Sequence, residues 1–220
     1  MSATPAAVVP IFATPFGVFR LAEAESLNPR LTRLVAERAA VSAATGANPL
    51  VYRGPDDLFD SPEPAAQALG ASILGAVRAM AATVNDFNDA QLQGFTLQAR
   101  GWFTLVRRDG NLPATSYRLT AWCAVYCIAA PAPSAERRDS GVLRLYESRL
   151  GTMFSDATNS VMRVPYALGH YGWWPVPGEV AVFPGAITHE IALVRSPGEL
   201  LLATVRARFV APGQQGWSSW

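Results

Sequence analysis

The sequence predicts a mainly β fold with flanking helices (α+β), a sandwich or jelly roll with helices packed on one face. Two stretches with helical spacing come first, within residues 28–84. From about residue 92 the chain becomes a series of apolar runs separated by turns, at 94–108, 117–129, 141–147, 161–165, 179–183, 188–194 and 199–210. Strands at that density after two helices suit packed sheets with helices on the outside. At 220 residues, half of them apolar, the chain suits one domain (1–220) with an ample core, its strands supplied mainly by 94–210.

Each element has its own signals. "PIFATPFGVFRL" (10–21) is a first strand interrupted by Pro15. A helix over 28–40 takes Asn28 as its N-cap and Pro29 as its first residue, with Leu31, Leu34 and Val35 as its apolar stripe. "TGANPLVYRGPDDLFD" (45–60) carries turn residues throughout and reads as a loop. In a second helix, 62–84, Ser61 caps, Pro62 opens, and Leu69, Ile73, Val77, Met80 and Val84 recur at helical spacing. Its small residues Gly70, Ala71, Gly75 and Ala76 predict close packing against a sheet. In the last strand, "ELLLATVRARFV", Leu201, Ala203, Val205, Ala207 and Phe209 form the core face. Thr204, Arg206 and Arg208 share the other face, expected as a solvated surface, with an anion site as the alternative. The tail "APGQQGWSSW" reads as loop.

Composition excludes several function classes. Lys+Arg number 18 against 17 Asp+Glu, and nucleic-acid binding normally needs a basic excess. No apolar run approaches the ~20 residues of a membrane span. The N-terminus lacks a basic region, and Pro5, Pro10 and Pro15 break it, so a cytoplasmic protein is expected. Cys123 and Cys127 lie four residues apart in one strand, roughly 13 Å, too far for a disulfide. They read as small buried hydrophobes, with no partner pair for a zinc site. There is no nucleophile motif and no phosphate loop.

Two polar clusters remain. "HYGWWPVPG" (170–178) sets His170, Tyr171, Trp173 and Trp174 together on a predicted loop at one end of the barrel. Adjacent tryptophans in extended chain point to opposite faces, so one is available for sugar stacking or a protein contact. The alternative is a tryptophan capping the open end. The second cluster is "VFPGAITHE" (182–190), a strand, a Pro-Gly corner and His189, one of two histidines in the chain.

The order of "IFATPF…SLNPRL", the "GW" opening "GWFTLVRRDGN", "WCAVYCIAAPAP", "GVLRLYES" and "PGEVAVFPGAITHEI" resembles the 2-oxoglutarate/Fe(II)-dependent oxygenases of bacteria and tailed phages. The resemblance implies a double-stranded β-helix. It also implies Fe(II) held by two histidines and a carboxylate, with a late-strand arginine for 2-oxoglutarate. His189 falls at the last histidine ligand. The first ligand pair falls on Thr115 and Tyr117, neither a usual Fe(II) ligand, and residues 110–127 contain no His, Asp or Glu. The arginine position falls near Leu200 or Leu201, leaving Arg206 and Arg208 as the late-strand cations that could substitute. His170, Asp109 and Glu147 are the candidates for a rearranged triad.

Two expectations follow. In the first, catalysis is lost and no cofactor is used. The chain then serves as a binding or structural subunit for a protein or carbohydrate, as an oligomer or part of a phage-like assembly, with His189 hydrogen-bonded to Thr115 or Tyr117. In the second, a rearranged site works with Fe(II) and 2-oxoglutarate.

Overall fold

The computed structural model describes residues 13–44, 46, 48–132, 138–146 and 169–213. Among these residues, ten strands form two antiparallel sheets. The larger contains β1 (Gly17–Arg20), β2 (Val51–Arg53), β3 (Thr96–Val106), β5 (Trp122–Ala129), β8 (Glu179–Pro184) and β10 (Leu200–Val210). Its order is β1-β8-β5-β10-β3-β2. The smaller contains β4 (Leu112–Thr115), β6 (Leu143–Tyr146), β7 (His170–Trp173) and β9 (His189–Ile191), in the order β4-β9-β6-β7. Helices α1 (Ala24–Ala44) and α2 (Pro64–Val84) cover the outer face of the larger sheet, and a short α3 (Asp89–Gln93) follows.

Strand alternation divides the interior into two cores. Ala124, Tyr126, Leu201, Ala203 and Val205 pack under the helices with Leu31, Leu69, Ile73 and Val77. Cys123, Val125, Cys127, Leu200 and Leu202 turn the other way, toward Leu143, Ile191 and Trp173 of the smaller sheet. Both faces of the central strands are therefore buried. This corrects the reading of β10's second face as solvated: Thr204 is 6 % exposed, and the half-buried Arg206 lies 4.9 Å from the Tyr117 ring. Helices already cover the Leu201 face, so the alternate face has nowhere to go but the barrel interior. Arg208, near the strand end, donates through Nε to Gln98 at 3.3 Å. Both cysteines are free and buried on the inner face of β5, as expected.

The helix starts differ from expectation. α1 begins at Ala24, with Pro29 inside it on the exposed side, so Asn28 is not a cap. Its Oδ1 instead accepts from the Tyr126 hydroxyl at 2.6 Å, pinning the helix to β5. α2 begins at Pro64, not Pro62. A residue before proline is pushed out of the helical region, and Glu63 obeys at φ −74°, ψ 118°, so the second proline sets the start. Val84 is 43 % exposed rather than core. Among the small residues of α2, Gly70 admits the Phe59 ring, which would lie 3.0 Å from an added Cβ, whereas Gly75 faces open space. By length and hydropathy α2 could cross a membrane, a property the sequence reading did not register; here half of that apolar stretch is buried in the fold.

Three short strands fall where none was expected: β2 inside the loop 45–60, β4, and β7. The expected strand at 161–165 and most of the C-terminal tail lie outside the described residues.

Candidate functional site

A partly open cavity of about 170 Å³ lies between the two sheets beside His189. The Pro-Gly corner of "VFPGAITHE" positions two of its lining residues, Tyr117 and His189. Tyr117 N–H donates to the Gly185 carbonyl at 2.7 Å, and Gly185 N–H to Ala121 at 3.1 Å. A Cβ at Gly185 would lie 2.7 Å from the Thr120 carbonyl oxygen, so this close crossing requires glycine. The crossing sets Tyr117 edge-on against the His189 ring, centroids 5.5 Å apart, while Phe183 approaches at 5.0 Å. In register, His189 stands opposite Thr115 on β4 and Leu145 on β6.

His189 is 6 % exposed, and its Nδ1 lies 2.8 Å from the Ile187 carbonyl. A carbonyl can only accept, so Nδ1 carries the proton and Nε2 is left as an acceptor in the neutral ring. This replaces the expected hydrogen bond to a hydroxyl of Thr115 or Tyr117. Burial pushes the imidazole below the usual histidine range and the Tyr117 hydroxyl up to about 12, so both are uncharged near neutrality.

Polar groups lie in and around the cavity. Thr104 and Thr204 line it, and Thr104 Oγ1 is buried with no hydrogen-bond partner. Arg53 lies 4.4 Å over the Trp102 ring. Arg206 lies 5.4 Å from Trp102 and 4.9 Å from Tyr117. Asp56 pairs with both arginines, 3.4 Å from Arg206 and in contact with Arg53. Arg53 and Asp56 sit in the segment expected to be loop, and no spacing signal linked them to β10.

The residues expected to assemble a triad do not converge. His170 lies opposite Tyr146, one residue out of step with Leu145, so it turns to the outer face of the smaller sheet, away from His189. There Glu190 accepts from Tyr146 at 2.7 Å and pairs with Arg144 at 3.1 Å. Asp109 is an exposed turn residue with φ 67°, and Glu147 lies outside the described residues. Among the described residues no group of three or more His, Cys, Asp or Glu could hold a metal. An imidazole facing a threonine and a phenol does not fit the two-histidine, one-carboxylate set that Fe(II) takes in such sites. Leu200, one of the two positions where the resemblance puts the co-substrate arginine, is 1 % exposed among Val106, Val194 and Leu202. "HYGW" is strand β7 rather than loop. Trp173 is 7 % exposed and points inward; Trp174 is 56 % exposed and donates through Nε1 to the Arg138 carbonyl at 2.6 Å. Tyr171 is 46 % exposed, its ring edge-on to Phe16 at 5.1 Å.

Several solved structures share this architecture. A prolyl-4-hydroxylase from Pseudomonas putida superposes with TM-score 0.53 at 15 % identity, covering 88 % of this chain and 91 % of its own. The fold is that of the 2-oxoglutarate/Fe(II) oxygenases. HygX from Streptomyces hygroscopicus, with nickel and 2-oxoglutarate bound, gives TM-score 0.54 at 16 % identity over 93 % of this chain and 86 % of its own. SnoK, a non-heme α-ketoglutarate-dependent carbocyclase from nogalamycin biosynthesis, gives 0.54 at 12 % identity over 89 % and 79 %. No protein-family model matches the chain. No curated protein matches it either. The oxygenase fold is thus present, with His189 facing Thr115 and Tyr117 inside it.

One consequence is a pH dependence. His189's folded value lies below the ordinary 6.5, so the unfolded chain takes up a proton first. Stability is complete above about pH 6.5 and falls as pH drops below it, by at most about 1.4 kcal/mol per pH unit. Urea midpoints measured from pH 7.5 to 5.0 are expected to fall more steeply for wild type than for His189→Gln. Parallel curves would show that the ring is not held neutral.

Proposed function

We propose that this chain is a non-catalytic binding protein on the oxygenase fold, using neither Fe(II) nor 2-oxoglutarate. The observation that carries the reading is the pair facing His189. Thr115 and Tyr117 stand where the family resemblance puts the first metal ligands, and Tyr117's ring packs against the imidazole. An imidazole without further ligands holds a divalent ion weakly. The apolar packing around Leu200 removes the fork that would take the far carboxylate of 2-oxoglutarate. Trp174 and Tyr171 supply exposed aromatic surface for a protein or carbohydrate partner.

The test is metal and co-substrate binding. Protein purified under argon with Fe(II) or Mn(II) is expected to retain substoichiometric metal and to yield no succinate from 2-oxoglutarate above the metal-free control. Stoichiometric Fe(II) that disappears in His189→Ala would overturn the reading.

A further inference from the structure

We infer that the cavity beside His189 binds a small neutral molecule with an apolar body and a hydroxyl group, with Thr104 and His189 as its polar partners. The inference rests on the reading above, in which no iron and no 2-oxoglutarate occupy this space.

Size and lining set the class. The cavity's volume of about 170 Å³ is comparable to the roughly 150 Å³ engineered cavities that hold benzene. Val125, Leu143, Ile191 and Leu202 form an apolar wall suited to a ring or short branched chain. Against it stands Thr104, 1 % exposed, whose Oγ1 is buried without a partner. A buried hydroxyl left unpaired is unfavourable, and a ligand that bonds it recovers the loss. His189 supplies the complementary group. Its Nδ1 is committed to the Ile187 carbonyl, which leaves Nε2 at the far side of the ring as an acceptor. A hydroxyl both donates and accepts, so it matches either group; a hydrocarbon matches neither.

Charge argues for a neutral ligand. Arg53 is the cation in the described lining, and its guanidinium is already paired with Asp56 and stacked over Trp102. A carboxylate would have to leave water and displace Asp56 to reach that guanidinium.

The experiment titrates the full chain by calorimetry with phenol, toluene, benzoate and 2-oxoglutarate plus Mn(II). Phenol is expected to bind one to one, about five- to tenfold more tightly than toluene, the range set by one net hydrogen bond. Thr104→Val should reduce that preference, and Thr104→Ser should keep it. The wild-type comparison stands even if Thr104→Val fails to fold. No saturable phenol binding, equal affinity for phenol and toluene, or preference for benzoate would overturn the inference and leave the non-catalytic reading intact. Metal-dependent binding of 2-oxoglutarate would overturn both.

Discussion

Leu200→Arg is expected to cost the protein about 4 kcal/mol or more and to confer no affinity for 2-oxoglutarate. In the resemblance to the oxygenases, this neighbourhood is where an arginine grips the co-substrate. In this chain Leu200 is 1 % exposed, lies opposite Val106 in register and packs with Val194 and Leu202. A guanidinium there would leave water for an apolar cluster, beside the cation of Arg138 across a shared surface hollow. The nearest acid in sequence, Glu199, is held by Arg107 at 3.0 Å. Burying a charge without a partner is among the few single changes that exceed 4 kcal/mol. Urea unfolding measures the loss. A variant within about 1 kcal/mol of wild type that also binds 2-oxoglutarate would mean that the co-substrate site survives.

The neighbouring tryptophans are expected to behave in opposite ways. Trp173→Ala should cost about 3–5 kcal/mol, because it opens a void where the smaller sheet packs inward on Leu143. Trp174→Ala should cost no more than about 1 kcal/mol, since over half its surface is in water and a single bond to the Arg138 carbonyl holds it. Unfolding midpoints of the two variants decide this. Equal losses would contradict the inward and outward assignment.

Much of the fold was legible because its long elements carry clear periods. The alternation of 201–209 and the stripe Leu69, Ile73, Val77 and Met80 lie where the pattern put them. Short strands were not legible. β2 has three residues, and its pairing of Val51 with Val106 is decided by the partner strand rather than by "VYR" itself. Period alone also could not say which face of β10 meets solvent, because the helices bury one face and the smaller sheet the other. At the site, His189 and the non-ligand pair Thr115 and Tyr117 could be read from the order of motifs. The Arg53–Asp56–Arg206 group could not, since it joins residues 150 positions apart through sheet pairing.

The position of β10 has a consequence for how the chain is made. It is the last strand synthesised among those described, yet it lies between β5 and β3 near the middle of the larger sheet. Until residue 210 has left the ribosome, those two strands have no neighbour on that side. The apolar stripe of α2, made more than a hundred residues earlier, also waits for part of its sheet. Such late closure of non-local contacts gives slow folding and a long-lived nascent chain with exposed apolar surface. Chains stalled or cut before β10 should therefore be substrates for chaperones and proteases rather than partly working proteins.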